Sequence, residues 1–164
     1  GRNTFEKDET TGRWYPLGTS TQEVLEQSTI TLDTFQAYDR NSAPEGSERL
    51  AVRLYEVVSN RNVGGAFDIV RLYANIGETL RQLLEKLDKV FEPQGTGALT
   101  INEDLSNLIP ITPIIEGAGG YVVDFDGNRI GNRSICSSRP NVIIAANDAI
   151  KGRLLSLVEK ARSG

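Results

Sequence analysis

The 164-residue chain contains no histidine, no methionine and a single cysteine. Histidine is the commonest general base and a frequent metal ligand, so any chemistry here must run on carboxylates, hydroxyls or a borrowed metal. Cys136 cannot close an internal disulfide. That favours a reducing compartment, the cytoplasm or an organelle interior. Lys and Arg number 18 against 22 Asp and Glu and form no run, so the basic face a phosphate backbone demands is missing. Nucleic acid is therefore not expected as a partner. No apolar run approaches the roughly 20 residues of a membrane span, and no signal-peptide pattern opens the chain. Without methionine the chain lacks even a start residue, so Gly1 is expected to follow a cut and the chain to be a piece of something longer.

What is present is a globular composition, 38% hydrophobic and 24% charged, in a chain long enough to bury a core without staples. Residues Thr4–Leu17 read as a hairpin turning at Thr10-Thr11-Gly12. Thr19-Ser20-Thr21 can cap a short helix over Gln22–Gln27, and Ser28–Asp33 alternates as a strand. Ser47 is placed to cap a helix carrying Leu50, Ala51, Leu54 and Val58 on one face. Gly64-Gly65 breaks the pattern, and Phe67, Val70 and Tyr73 suggest a helix over Ala66–Ala74. The strongest helical stripe is Leu80, Leu83, Leu84, Leu87, Val90 and Phe91, ended by Pro93-Gln-Gly-Thr-Gly97. Glu103–Ile115 reads as a helix in conflict with itself, because Pro113 removes an interior hydrogen bond. Tyr121–Phe125 alternates before the Asp126-Gly127 turn. Asn141–Ala146 is apolar enough for a central strand, and Asn147 caps a last helix over Asp148–Arg162. Strands and helices alternate without repeat, which predicts a single α/β domain over residues 1–164, a layered mixed sheet with flanking helices.

Two glycine clusters invite a functional reading. Gly117-Ala118-Gly119-Gly120 follows a helix, whereas a phosphate-cradling loop precedes one, so these glycines are expected to end the helix and pack it on the sheet. Gly64-Gly65-Ala66 precedes a predicted helix, so its amides could face an anion or a sugar hydroxyl; a loop needing positive φ explains it as well. Asp124 and Asp126, two apart on a strand, form a conceivable carboxylate pair for a metal, although the turn alone accounts for Asp126.

Taken in order, these pieces resemble the C-terminal half of the inositol monophosphatase-like family. Pro113-Ile-Ile-Glu-Gly-Ala-Gly-Gly-Tyr-Val-Val-Asp-Phe-Asp-Gly127 is similar to the family's E-A-G-G-x-V-T-D-W-x-G signature. Arg139-Pro-Asn-Val-Ile-Ile-Ala-Ala-Asn147 is similar to its closing strand and helix, and Arg61-Asn-Val-Gly-Gly-Ala-Phe-Asp68 to its R-S-x-G-S-A-A-x-D segment. The resemblance covers most of the chain after about Ile30, with an inserted helix expected at 78–97.

The resemblance implies a Mg²⁺-dependent phosphomonoesterase of small polyols, sugars or nucleotides. It also implies what is missing: the Glu-Glu pair and D-P-x-D-G-T motif that hold most of the metal in the family's N-terminal half do not occur here. At the position of a further Asp ligand stands Asn107, preceded by Ser106 instead of Trp, and an amide is a weaker Mg²⁺ ligand than a carboxylate. By the same matching Gly64, Gly65 and Ala66 are the substrate-binding segment, with Gly65 in place of the usual Ser or Thr. The chain is thus expected to need a second chain or an N-terminal segment, within a homo- or hetero-oligomer. The alternative is a phosphatase-like subunit that has lost its metals and serves interaction or structure.

Overall fold

The computed structural model describes residues 3–71, 84–86, 95–130 and 139–164. Cys136 lies outside them. A hairpin of β1 (Phe5–Lys7) and β2 (Trp14–Thr19) opens the chain. β3 (Thr29–Asp33), α1 (Ser47–Val58), β4 (Asp68–Arg71), β5 (Leu84–Lys86) and β6 (Gly97–Thr100) follow. Then come α2 (Leu105–Gly117), β7 (Tyr121–Asp124), β8 (Val142–Ala145) and α3 (Asp148–Ser163). The main sheet has the order β4-β3-β6-β8-β7, parallel across β4, β3 and β6 and antiparallel from β6 through β8 to β7. β1, β2 and β5 form a small antiparallel sheet beside it.

Both faces of the mixed sheet are covered. On one, Leu54 and Val58 of α1 and Leu154, Leu157 and Val158 of α3 pack over Ile30, Leu32, Leu99 and Ile143. On the other, Leu105, Leu108, Ile111 and Ile115 of α2 pack over Ala98, Val122, Val142 and Ile144. Neighbours in a strand thus serve opposite cores, which is why Val142–Ala145 carries no polar residue and is wholly buried. No helix of the described residues is long and apolar enough to cross a membrane.

The glycines after α2 do close the helix. Gly119 has φ +102°, and a Cβ at Gly120 would sit 2.7 Å from Ile115 Cγ2 and 2.9 Å from the Ala145 carbonyl. Only a bare α-carbon lets the chain turn this tightly from α2 into β7. Asp124 and Asp126 part company. Asp124 is buried and accepts the amides of Asp126 and Asn128, both at 2.9 Å, while the exposed Asp126 pairs with Arg162 at 2.7 Å. Asn147 caps α3 through Ile150 N at 3.0 Å, and its amide group donates to the carbonyls of Ser20 and Gln22.

The sequence reading needs five corrections. Residues 66–74, expected as helix, include strand β4, with Ile69 opposite Ile30. Phe67, one of the residues that suggested the helix, is 57% exposed beneath the Arg61 guanidinium. The expected helix within 78–97 is broken at Leu84–Lys86, which pair as a strand with Leu17–Thr19; tertiary pairing overrides local propensity there. The rest of that helix lies outside the described residues, and Gly97, taken as the insertion's end, opens β6. Helix 22–27 shrinks to a 3-10 turn at Leu25–Gln27. The cap of α1 is Gly46, at φ +84°, not Ser47. Finally, α2 runs through both Pro110 and Pro113. Both are exposed, so water can reach the carbonyls that lose their helical donors.

Two glycines should respond oppositely to alanine. Gly152 lies inside α3 with nothing within 4 Å of a built Cβ, so Gly152→Ala is expected to raise stability by about 0.5–1 kcal/mol. Gly120→Ala forces its neighbours apart and is expected to lower stability by about 1–3 kcal/mol. Urea midpoints at unchanged slope check both.

Candidate functional site

In open α/β sheets the crevice for a ligand lies beyond the carboxyl ends of the strands. Here β3 and β6 run parallel and finish level, with Asp33 opposite Thr100. The chain leaves β3 into a 3-10 turn over Phe35–Tyr38 and leaves β6 through Ile101–Asp104 into α2. Between the two exits lies a cleft of about 290 Å³ lined by Asp33, Gln36, Asp39, Glu103, Asp104, Asn107 and Arg139.

Its floor is held by Asn102, whose φ of +56° is a conformation Asn tolerates better than most residues. Its side-chain nitrogen donates to the Gln36 carbonyl at 3.1 Å and to Ser42 Oγ at 2.9 Å. Its backbone N–H donates to Asn141 Oδ1 at 3.0 Å. Arg139 closes the frame: Nε donates to the Asn102 carbonyl, Nη2 to Gln36 Oε1, and Nη1 stands 3.6 Å from Asp104 Oδ2. The positive-φ corner is thus over-determined, as a strained backbone position must be to persist.

The carboxyls of this cleft are not equivalent. Glu103 is 6% exposed, and burial pushes its pKa above the ordinary carboxylate value, with the nearby Asp33 adding in the same direction. Its Oε1 accepts from the Asp104 amide at 3.0 Å and from Asn107 Nδ2 at 3.2 Å. Asp39 is held low, first by the Ser42 hydroxyl at 2.6 Å and then by the Asn41 amide. Asp104 is held low by the amide and hydroxyl of Ser106 at 2.9 and 2.8 Å. Four carboxyl groups therefore face one guanidinium, a field that draws cations and repels a phosphate monoester.

Asn107 does lie on this cleft, in the first turn of α2, but its amide N–H is engaged by Glu103. That leaves its neutral amide oxygen for a cation, a weaker Mg²⁺ ligand than a carboxylate. Among the described residues no group of three His, Cys, Asp or Glu side chains is placed to hold a metal. The donor set of this chain by itself does not fit the magnesium the resemblance implies.

Gly64, Gly65 and Ala66 are elsewhere. They precede β4, whose Asp68 lies opposite Thr29, so they sit at the amino end of β3, about 13 Å of strand away from Asp33. Their amides donate to the carbonyls of Arg61, Asn60 and Val58. The expected helix behind them is a strand, and those donors are already bonded within the chain. A Cβ on Gly65 would stand 2.7 Å from the Asn60 carbonyl, so packing accounts for the missing Ser or Thr. The structure does not bring this segment and Asn107 together. Asp33, Glu103, Asp104 and Arg139 were not singled out by sequence, although an Asp ending an alternating strand marks a carboxyl end and was the available signal.

A carboxyl with a raised folded pKa binds its proton more tightly when folded. Its burial is free of penalty in acid and lowers stability as pH rises through the folded value. Glu103→Gln keeps an acceptor for both donors, so it is expected to be more stable than wild type at neutral pH, the gap closing below the ordinary Glu value near 4.5. Asn107→Asp sets a second carboxylate against Glu103 and is expected to lose about 1–3 kcal/mol at neutral pH, recovered in acid. Denaturant titrations across pH check both.

No family model and no curated protein sequence matches this chain. Solved structures do. An inositol monophosphatase from Zymomonas mobilis matches at 16% identity and TM-score 0.62, over 90% of this chain and 47% of its own. SuhB from Mycobacterium tuberculosis matches at 15% identity and TM-score 0.60, over 96% of this chain and 50% of its own. The inositol monophosphatase from Anabaena matches at 15% identity and TM-score 0.60, over 95% of this chain and 60% of its own. The chain spans about half the length of the structures it matches. Its fold is that of the C-terminal half of an inositol monophosphatase.

Proposed function

We propose that the chain forms one wall of a phosphomonoesterase cleft and acts only together with another half that supplies the metal ligands. The observation that carries this reading is the cleft at the joint ends of β3 and β6, in a fold shared with inositol monophosphatase structures. The magnesium implied by the resemblance belongs with that other half, where it would supply the positive charge that a phosphate monoester needs. The contribution of this chain is recognition. Asp39 and Asp104, ionised and accessible, can accept hydrogen bonds from the hydroxyls of a small polyol, sugar or nucleotide. Arg139 offers N–H donors to an anionic oxygen. A second reading, a phosphatase-like subunit without catalysis, is favoured by the Asn107–Glu103 hydrogen bond standing where the family pattern has a free carboxylate.

Release of phosphate from p-nitrophenyl phosphate in the presence of Mg²⁺ separates the two. The full gene product is expected to turn the substrate over while the 164-residue chain alone does not. Hydrolysis by the isolated chain would contradict the half-site reading. No hydrolysis by the full product would leave the non-catalytic subunit.

A further inference from the structure

Two carboxyls of the cleft at the joint ends of β3 and β6, Asp33 and Glu103, are more than nine-tenths buried. Glu103 takes both of its donors on one oxygen: Oε1 accepts from the Asp104 amide and from Asn107 Nδ2. Its other oxygen, Oε2, has no donor among the described residues. The side-chain atoms there that are sealed from water without a partner are Thr96 Oγ1, Thr100 Oγ1 and Asn102 Oδ1. Glu103 Oε2 is not one of them, so it is reached through the cleft that its residue lines. A largely buried carboxylate oxygen with no donor costs free energy until a ligand supplies one. The guanidinium of the lining does not: Arg139 donates to Asn102 and Gln36 and stands beside Asp104. At the partly exposed rim, Asp39 and Asp104 add ionised carboxylates.

A metal ion suits these acceptors poorly. It draws its oxygens to within about 2.0–2.6 Å, and among the described residues no three acidic side chains are placed to hold one. Acceptors spread around a cleft of about 290 Å³ match an organic cation that carries several N–H donors. A hydroxyl donates once and is neutral; an ammonium donates three times and carries the charge this field attracts. We propose that the cleft is an ammonium subsite, in which Glu103 Oε2 accepts from a protonated primary amine while Asp39 and Asp104 supply countercharge from the rim. The proposal rests on the phosphomonoesterase reading and narrows its substrate class to phosphate esters of amino-substituted sugars or polyols. The amine end enters this cleft, and the phosphate end is left to the half that supplies the metal. That division removes the conflict between four carboxyls and a phosphate.

Binding of glucamine and of sorbitol tests this without reading turnover, so its failure is distinct from a failure of phosphate release. The two differ in one terminal group, ammonium against hydroxyl, and an alkyl ammonium stays charged at neutral pH. In calorimetric titrations of the full gene product, glucamine is expected to bind at least about tenfold more tightly than sorbitol, with an affinity that falls as NaCl is raised. Glu103→Gln keeps an acceptor for Asp104 N and Asn107 Nδ2 but loses the charge, and is expected to bring the ratio to about twofold or less. Asp104→Asn can still cap α2 and is expected to lower the ratio as well, which gives a second variant should the first disturb the cleft. Equal binding of the two compounds, binding of neither, or a preference that survives both variants overturns the proposal. Any of these with phosphate release intact leaves the half-site reading standing. A preference retained in a product that releases no phosphate supports the ammonium subsite and removes the phosphate ester.

Discussion

The parallel pairing of β3 with β6 decides where everything else in this molecule can lie. It brings Asp33 level with Thr100, so the two chain exits share one end of the sheet and must diverge around a gap. The exit from β6 turns through Asn102 at positive φ and starts α2 at the rim of that gap. β8 then returns antiparallel on β6, and Gly120 lets the end of α2 press against it. Cleft, helix and sheet are therefore consequences of one register.

The electrostatics of the gap give it a direction. Buried Glu103 holds its proton more readily than an ordinary carboxylate, whereas Asp39 and Asp104 are fixed as anions by local donors. Such a set attracts positive charge and repels anions, which opposes a phosphate.

Elements with local signals were legible in the sequence. β8 announces itself by an uninterrupted apolar run bounded by Pro140 and Asn147, and α3 by its cap and the sign of its terminal charges. β4 and β5 were not, because each exists through its neighbour: Ile69 is a strand residue only beside Ile30, and Leu84 only beside Thr19. Residues before a parallel strand fall at the amino end of the sheet, which is where Gly64–Ala66, matched to a substrate-binding segment of the family, stand relative to β3. Asn107 was found through a family pattern, but its partner Glu103 lies before the helix cap Asp104, so their contact depends on the turn from β6 into α2. Asp33 is marked only as the Asp ending an alternating strand, and Arg139 carries no local mark, since what makes them neighbours is the sheet order.

The most direct test of this account is an experimental structure of the chain. The account predicts Asp33 level with Thr100 at the joint ends of β3 and β6, with Glu103, Asp104 and Arg139 around one cleft. A β6 paired away from β3, or those side chains dispersed over separate surfaces, would contradict it.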